Sequence, residues 1–157
     1  MYASTRHFDH LIDLNDVARG DGFLFVRDGV GIAGRGIALR TTAESVTTDL
    51  QNIKQVGSIT PDPIALGIIP FLHGDQTHFV IPKIIVRKKT DQTTTLTIVA
   101  NDENECSDEH FAQATDDLLA PRVVIPSARS FHISPVTPIS TYLAAVTAAR
   151  DAVRAGE

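Results

Sequence analysis

FLFVRDGVGIAGRGIALR, residues 23–40, holds the pattern that decides the fold class. Gly22 to Arg27 is a β-rich run, and Asp28-Gly29 is a dipeptide favoured where both central residues of a type I′ turn take positive φ. Val30 to Arg40 then returns as a second β-rich run, so the stretch predicts a hairpin. In the return run Val30, Ile32, Ile37 and Leu39 alternate with small or polar partners, and Gly31, Gly34 and Gly36 predict a bulge or a close backbone approach. Gly29, Gly31 and Gly34 also spell GxGxxG after a strand, the written form of a dinucleotide fingerprint. That motif has to open a helix whose N-terminus receives a pyrophosphate. Here Arg35 to Leu39 continues in β register with no clear βαβ unit behind it, so these read as hairpin glycines.

Working outward, Thr42 to Val56 places Val46, Leu50, Ile53 and Val56 at spacings of four, three and three, which predicts a helix. Ala65 to Phe71 reads as a short buried strand after the Pro61-Asp62-Pro63 break. His78 to Ile81 and Lys83 to Lys89 follow as strands around Pro82, which has no N–H to give and belongs at an edge or bulge. Thr93 to Ala100 completes a second hairpin. Asn101 to Glu105 reads as an acidic loop, and Ser107 with Asp108 and Glu109 opens a short helix whose face carries Phe111, Ala114 and Leu118. Pro121 ends it, Val123 to Ile125 and Phe131 to Ile133 read as short extended pieces, and a proline-punctuated connector runs from Ser134 to Thr137. The last segment is the clearest helix, with Thr137 as N-cap and Pro138 at the first helical position. Its core-facing stripe is Ile139, Leu143, Val146, Ala149 and Val153, and Gly156 is its terminator. The pattern is α+β, a mainly antiparallel sheet with helices packed on one face.

Composition bounds what such a fold does. With 157 residues, 43% hydrophobic and 21% charged, the chain has the size and makeup of one globular unit with its own core. Fourteen basic against 19 acidic residues give a net charge of −5, and Arg87, Lys88 and Lys89 form the one tight basic cluster, so no nucleic-acid partner is expected. Ala65 to Leu72, the longest strongly apolar stretch, is broken by Gly67 and Pro70 and falls far short of the roughly 20 residues of a membrane helix. No membrane association is expected. The N-terminus has no signal-peptide apolar region, and the single cysteine, Cys106, has no disulfide partner within the chain, so a cytoplasmic location is expected.

The residue types that carry chemistry do not assemble into a known pattern. His7 and His10 form HxxH around Asp9, a metal-ligand spacing on a helix, without an identifiable third ligand. His73, Asp75 and His78 fall in a turn between strands and read as a solvated loop. Cys106 lies among Glu103, Glu105, Asp108 and Glu109, whose field raises a thiol pKa and disfavours the thiolate. Asp102, Glu103 and Glu105 lack the spacing and glycine of a calcium loop. Ser130 near His132 is a pairing that chance supplies, with no GxSxG. Lys54, Lys83, Lys88 and Lys89 sit at surface positions. From the residues alone, no catalytic, cofactor-binding or metal residue is assigned.

Four stretches in order resemble the N-terminal half of isochorismate synthases, in the family of chorismate-utilising enzymes. They are FLFVRDGVGIAGRGIALR at 23–40, LGIIPF at 66–71, FVIPKIIVRK at 79–88 and TPISTYLAAVTAARDAVRAGE at 137–157. The resemblance implies that residues 1–157 are the N-terminal portion of such an enzyme, half of its αββα fold, which isomerises chorismate to isochorismate for menaquinone or siderophore synthesis. It also implies that a water-activating lysine, a glutamate acid and the glutamates that hold Mg²⁺ follow the 137–157 helix. On this view the present residues are a structural, inactive portion that meets chorismate only through the catalytic half. An exposed sheet face or edge then favours self-association. The N-terminal portion of a salicylate or anthranilate synthase, or a non-catalytic interaction module, are the alternatives.

Overall fold

The computed structural model describes residues 1–60, 62–68, 77–91, 93–121, 134 and 136–156. In chain order its elements are β1 (Tyr2–His7), α1 (Leu14–Ala18), β2 (Phe23–Arg27), β3 (Val30–Arg35), β4 (Leu39–Thr42), α2 (Val46–Gln51) and β5 (Lys54–Val56). There follow β6 (Leu66–Ile68), β7 (His78–Ile81), β8 (Ile84–Lys88), β9 (Thr94–Ala100), a 3₁₀ turn (Glu103–Cys106), α3 (Asp108–Leu119) and α4 (Ile139–Ala155). The chain divides into two compact units, Met1–Arg122 and Val123–Glu157.

The first unit is α+β, with mostly antiparallel strands. Its larger sheet runs β2-β3-β8-β9-β1-β5 and its smaller one β4-β7-β6. Every pairing is antiparallel except that of β1 with β5. Asp28 and Gly29 take φ of +53° and +77°, the left-handed pair that a type I′ turn needs, and Arg27 pairs with Val30 as the hairpin predicts. The second hairpin is also present, with Lys88 opposite Thr94.

The return run from Val30 is two strands rather than one. β3 stops at Arg35, Gly36 turns at φ +65°, and β4 enters the other sheet. The partner run makes the same passage in reverse, β7 ending at Ile81 and β8 beginning at Ile84 across a fully buried Pro82. Lys83 N–H donates to Gly36 O at 3.4 Å and Ala38 N–H to Ile81 O at 2.9 Å, so pairing continues round the corner. The two sheets are thus joined by one bent antiparallel ribbon, a common way for strands to switch sheets. Gly34 permits it: a Cβ there would lie 2.7 Å from Pro82 Cγ.

Strand alternation sorts the core into two clusters. Ala33, Val86, Leu96 and Ile98 meet Leu14 and Val17 of α1 and Phe111, Ala114 and Leu118 of α3 on one face. Ile85, Val99, Ala3 and Ile81 form the other cluster, covered by Leu39, Leu50 and Ile53. Helices therefore do not share one face, because Leu50 of α2 packs opposite α1 and α3. Among the buried polar groups, Thr5 and Thr97, opposite one another on β1 and β9, share a 2.7 Å hydroxyl–hydroxyl hydrogen bond.

The helix expected over Thr42 to Val56 contracts to Val46–Gln51. Asn52 caps it, and Lys54 to Val56 instead pair with Tyr2 to Ser4, a sheet edge that outcompetes a threonine-weakened helix. The acidic loop is tighter than expected, with Asp102 capping a 3₁₀ turn through Asn104 N–H at 2.9 Å. Of the strand expected at Ala65 to Phe71, Leu66–Ile68 is present and the remainder lies outside the described residues, as do Val123 to Ile125 and Phe131 to Ile133.

In the second unit, α4 begins just after Pro138, which takes the N-cap position expected for Thr137, and ends in the left-handed Gly156 at φ +83°. Its apolar stripe is not core-facing: Ile139, Leu143, Val146 and Val153 are exposed, and no residue of the helix is buried. No described helix is long and apolar enough to cross a membrane.

Candidate functional site

Where β1 ends and the β8–β9 turn folds beside it, an open cleft of about 380 Å³ gathers His7, Asp9, His10, Lys88, Asp91 and Thr93. Phe8 N–H donates to Thr94 O at 2.9 Å, holding the connector after β1 against the turn. Phe8 itself is buried in the core, and the His10 ring stands edge-on to it at 5.3 Å. His7 closes a strand and His10 lies in non-helical chain, so HxxH does not present one helical face. Among the described residues no three His, Cys, Asp or Glu side chains converge as a metal site. A second cleft, about 490 Å³, shares Leu11, Ile12 and Lys88 with the first. Lys88 is therefore half-buried between two clefts rather than a plain surface lysine.

The carboxylates around this end of the sheet serve as local caps. Asp13 accepts from Asn15 N–H at 2.9 Å and from the Asn15 amide at 2.8 Å, and these bonds hold its carboxyl below the ordinary aspartate range, the backbone bond contributing most. Asp91 accepts from the Thr93 hydroxyl at 2.6 Å and from its N–H at 2.9 Å, which lowers its carboxyl too, the hydroxyl foremost. A carboxyl lowered by folding contributes stability that is fully present above its unfolded value, 3.8, and lost as pH falls through the folded value. Carboxyl-carbon NMR titration is therefore expected to give midpoints for Asp13 and Asp91 below those of the urea-unfolded chain. Equal midpoints in the two states would remove these caps from the acid limb of the stability curve.

A third cleft, about 220 Å³, lies along α3, with Lys83, Glu105, His110, Gln113 and Asp117 around an apolar floor of Ile84, Ile98 and Ala114. Lys83 Nζ stands 3.4 Å from Glu105. His110 Nδ1 lies 2.9 Å from the Ser107 hydroxyl, which leaves the helix N-terminus uncapped by that side chain. The Cys106 thiol is buried beside this turn, and desolvation, then Glu105 and Glu103, raise its pKa. The expected cause is thus present but second in size to burial.

Arginines organise this side of the sheet, and no local sequence pattern marks them. Arg35 and Arg19 converge on Asp117: Arg35 donates to the carboxylate, and Arg19 donates to the main-chain oxygen and stands 3.7 Å from the carboxylate. One Arg35 guanidinium nitrogen is buried without a hydrogen bond among the described residues. Arg6 pairs with Asp108 at 2.5 Å and lies 4.0 Å over the Phe111 ring. The one available signal was Arg35 at an otherwise inward-reading strand end; its partner is 82 residues away.

Other sequence candidates scatter. His78 opens β7 opposite Thr42, whereas His73, Asp75, Ser130 and His132 lie outside the described residues. Asp102 and Glu105 are engaged as a cap and an ion pair. Gly29 turns the hairpin and Gly34 seats Pro82, so the GxGxxG glycines serve sheet geometry. Compared with protein-family models, curated proteins and solved structures, the chain matches none of them.

Proposed function

We propose that this chain is the N-terminal, structural portion of a cytoplasmic isochorismate synthase, half of an αββα chorismate-utilising fold. The observation that carries the reading is where the resembling stretches fall. Residues 23–40 and 79–88, far apart in sequence, pair with each other along the whole bent ribbon, and Leu66–Ile68 joins β7 on its other side. Three of the four stretches thus form one contiguous framework, and the fourth supplies α4.

In this reading the reacting groups follow the α4 sequence. Moving a hydroxyl from one ring carbon to another requires a base to deliver water and an acid and a cation to assist departure. Among the described residues no three His, Cys, Asp or Glu side chains converge as a metal site, and Asp102 and Glu105 are engaged as a cap and an ion pair. The cation belongs with the catalytic half, through which chorismate is met.

The test extends the reading frame past codon 157 and assays the products with chorismate and Mg²⁺ by chromatography. The longer product is expected to form isochorismate and the 157-residue chain none. Turnover by the shorter chain would overturn the assignment of chemistry. Salicylate or anthranilate as product would move the protein to a sister activity, and a natural stop at this point would favour an interaction module.

A further inference from the structure

We propose that the outer edge of β2 is a homotypic docking edge, on which a second copy adds its own β2 antiparallel, with a two-fold axis through Phe25. β2 ends the larger sheet, and no described strand pairs with its outer side. Phe25 is 75% and Leu24 46% exposed, and the strand lacks the proline, bulge or central lysine that blunts natural edges.

Backbone parity fixes the register. In a two-residue type I′ hairpin the flanking pair, Arg27 and Val30, exchanges both hydrogen bonds, and bonding alternates from there. Arg27, Phe25 and Phe23 therefore bond inward to β3, while Val26, Leu24 and Gly22 turn their amides outward. Gly22 N–H is already taken by Ala18 O at 2.8 Å, which leaves the N–H and C=O groups of Leu24 and Val26. An antiparallel copy with Leu24 opposite the second Val26 uses all four groups, and both symmetric pairs then exchange two hydrogen bonds each.

The same register is self-complementary in side chains. Phe25 meets its own copy at a non-hydrogen-bonded site, where side chains approach most closely. On the same face, Arg27 of each copy crosses to Phe23 of the other, a cation over a ring instead of a like-charge contact. On the opposite face Leu24 meets Val26. A five-residue strand covers less than the roughly 800 Å² per partner of a standard interface, so the association is weak and concentration-dependent. This inference needs only β2 and stands apart from the chorismate reading.

Sedimentation velocity over a concentration series tests it, with Phe25→Lys, Phe25→Glu and Leu24→Pro as variants. The wild-type chain is expected to show reversible monomer–dimer exchange. Phe25→Lys and Phe25→Glu are each expected to weaken it roughly tenfold or more, and an equimolar mixture of the two to restore it. Leu24→Pro, which deletes an outward N–H and spares the hairpin's own bonds, is expected to weaken it while far-UV circular dichroism stays unchanged. The proposal is overturned by a strictly monomeric wild-type chain at its highest soluble concentration. It is equally overturned if Phe25→Lys dimerises as the wild type does, or if Leu143→Asp on α4 abolishes association while the β2 variants leave it intact.

Discussion

Replacing Phe111 by alanine is expected to cost the first unit about 3–5 kcal/mol, the range for emptying a buried aromatic site. Phe111 is 4% exposed and joins Ala114 and Leu118 in closing α3 onto Val86, Leu96 and Ile98. The same ring carries the Arg6 guanidinium on its face, so truncation also removes a cation–π contact, worth about 0.5–1 kcal/mol near the surface, and unseats the Arg6–Asp108 pair. The measurable outcome is a fall in the urea midpoint, with the thermal midpoint lower by more than about 10 °C. Phe111→Leu keeps most of the volume and should cost less than half as much. A midpoint unmoved by Phe111→Ala would mean that α3 does not close this core.

The second large effect is expected at Gly31. A Cβ there would run into Phe25 O and lie 2.9 Å from Val26 Cα, and the backbone sits at φ +141°, where side-chain-bearing residues rarely go. Both obstacles are main chain, so no rotamer change relieves them, and Gly31→Ala should cost about 3 kcal/mol through strain and a displaced β2. Gly29→Ala is the informative contrast. It also has positive φ, +77°, but nothing stands within 4 Å of its added methyl. Its cost is then conformational alone, about 1 kcal/mol. Equal midpoints for the two variants would show that close approach of β2 is not what Gly31 serves.

Much of this framework was legible because its signals are local. Asp28-Gly29 sets the first hairpin whatever surrounds it, and Phe111, Ala114 and Leu118 mark a helix face by spacing alone. β1 left no such trace. Ala3, Ser4 and Thr5 are buried in succession because both faces of a central strand are covered, so small and polar residues stand where alternation was sought. By pattern Gly36 belongs inside a strand, because the corner into a second sheet is set by Pro82, more than 40 residues on. α4 shows the converse: its apolar spacing and glycine stop specify a helix, yet the spacing does not say that the stripe is covered. The clefts were less legible still. His7 and His10 stand out in the sequence as an HxxH spacing, but Asp91 joins them only through the β8–β9 turn. Asp117 meets Arg19 and Arg35 across separations of 98 and 82 residues that no window spans.

The corner at Gly36 and Pro82 has a mechanical consequence for the first unit. Two neighbouring chain segments cross together from one sheet to the other, so tension on the smaller sheet is conveyed into the larger along covalent backbone. Layers held only by side-chain contact can slide or peel apart, whereas these are stitched at the fold line and must open as one body.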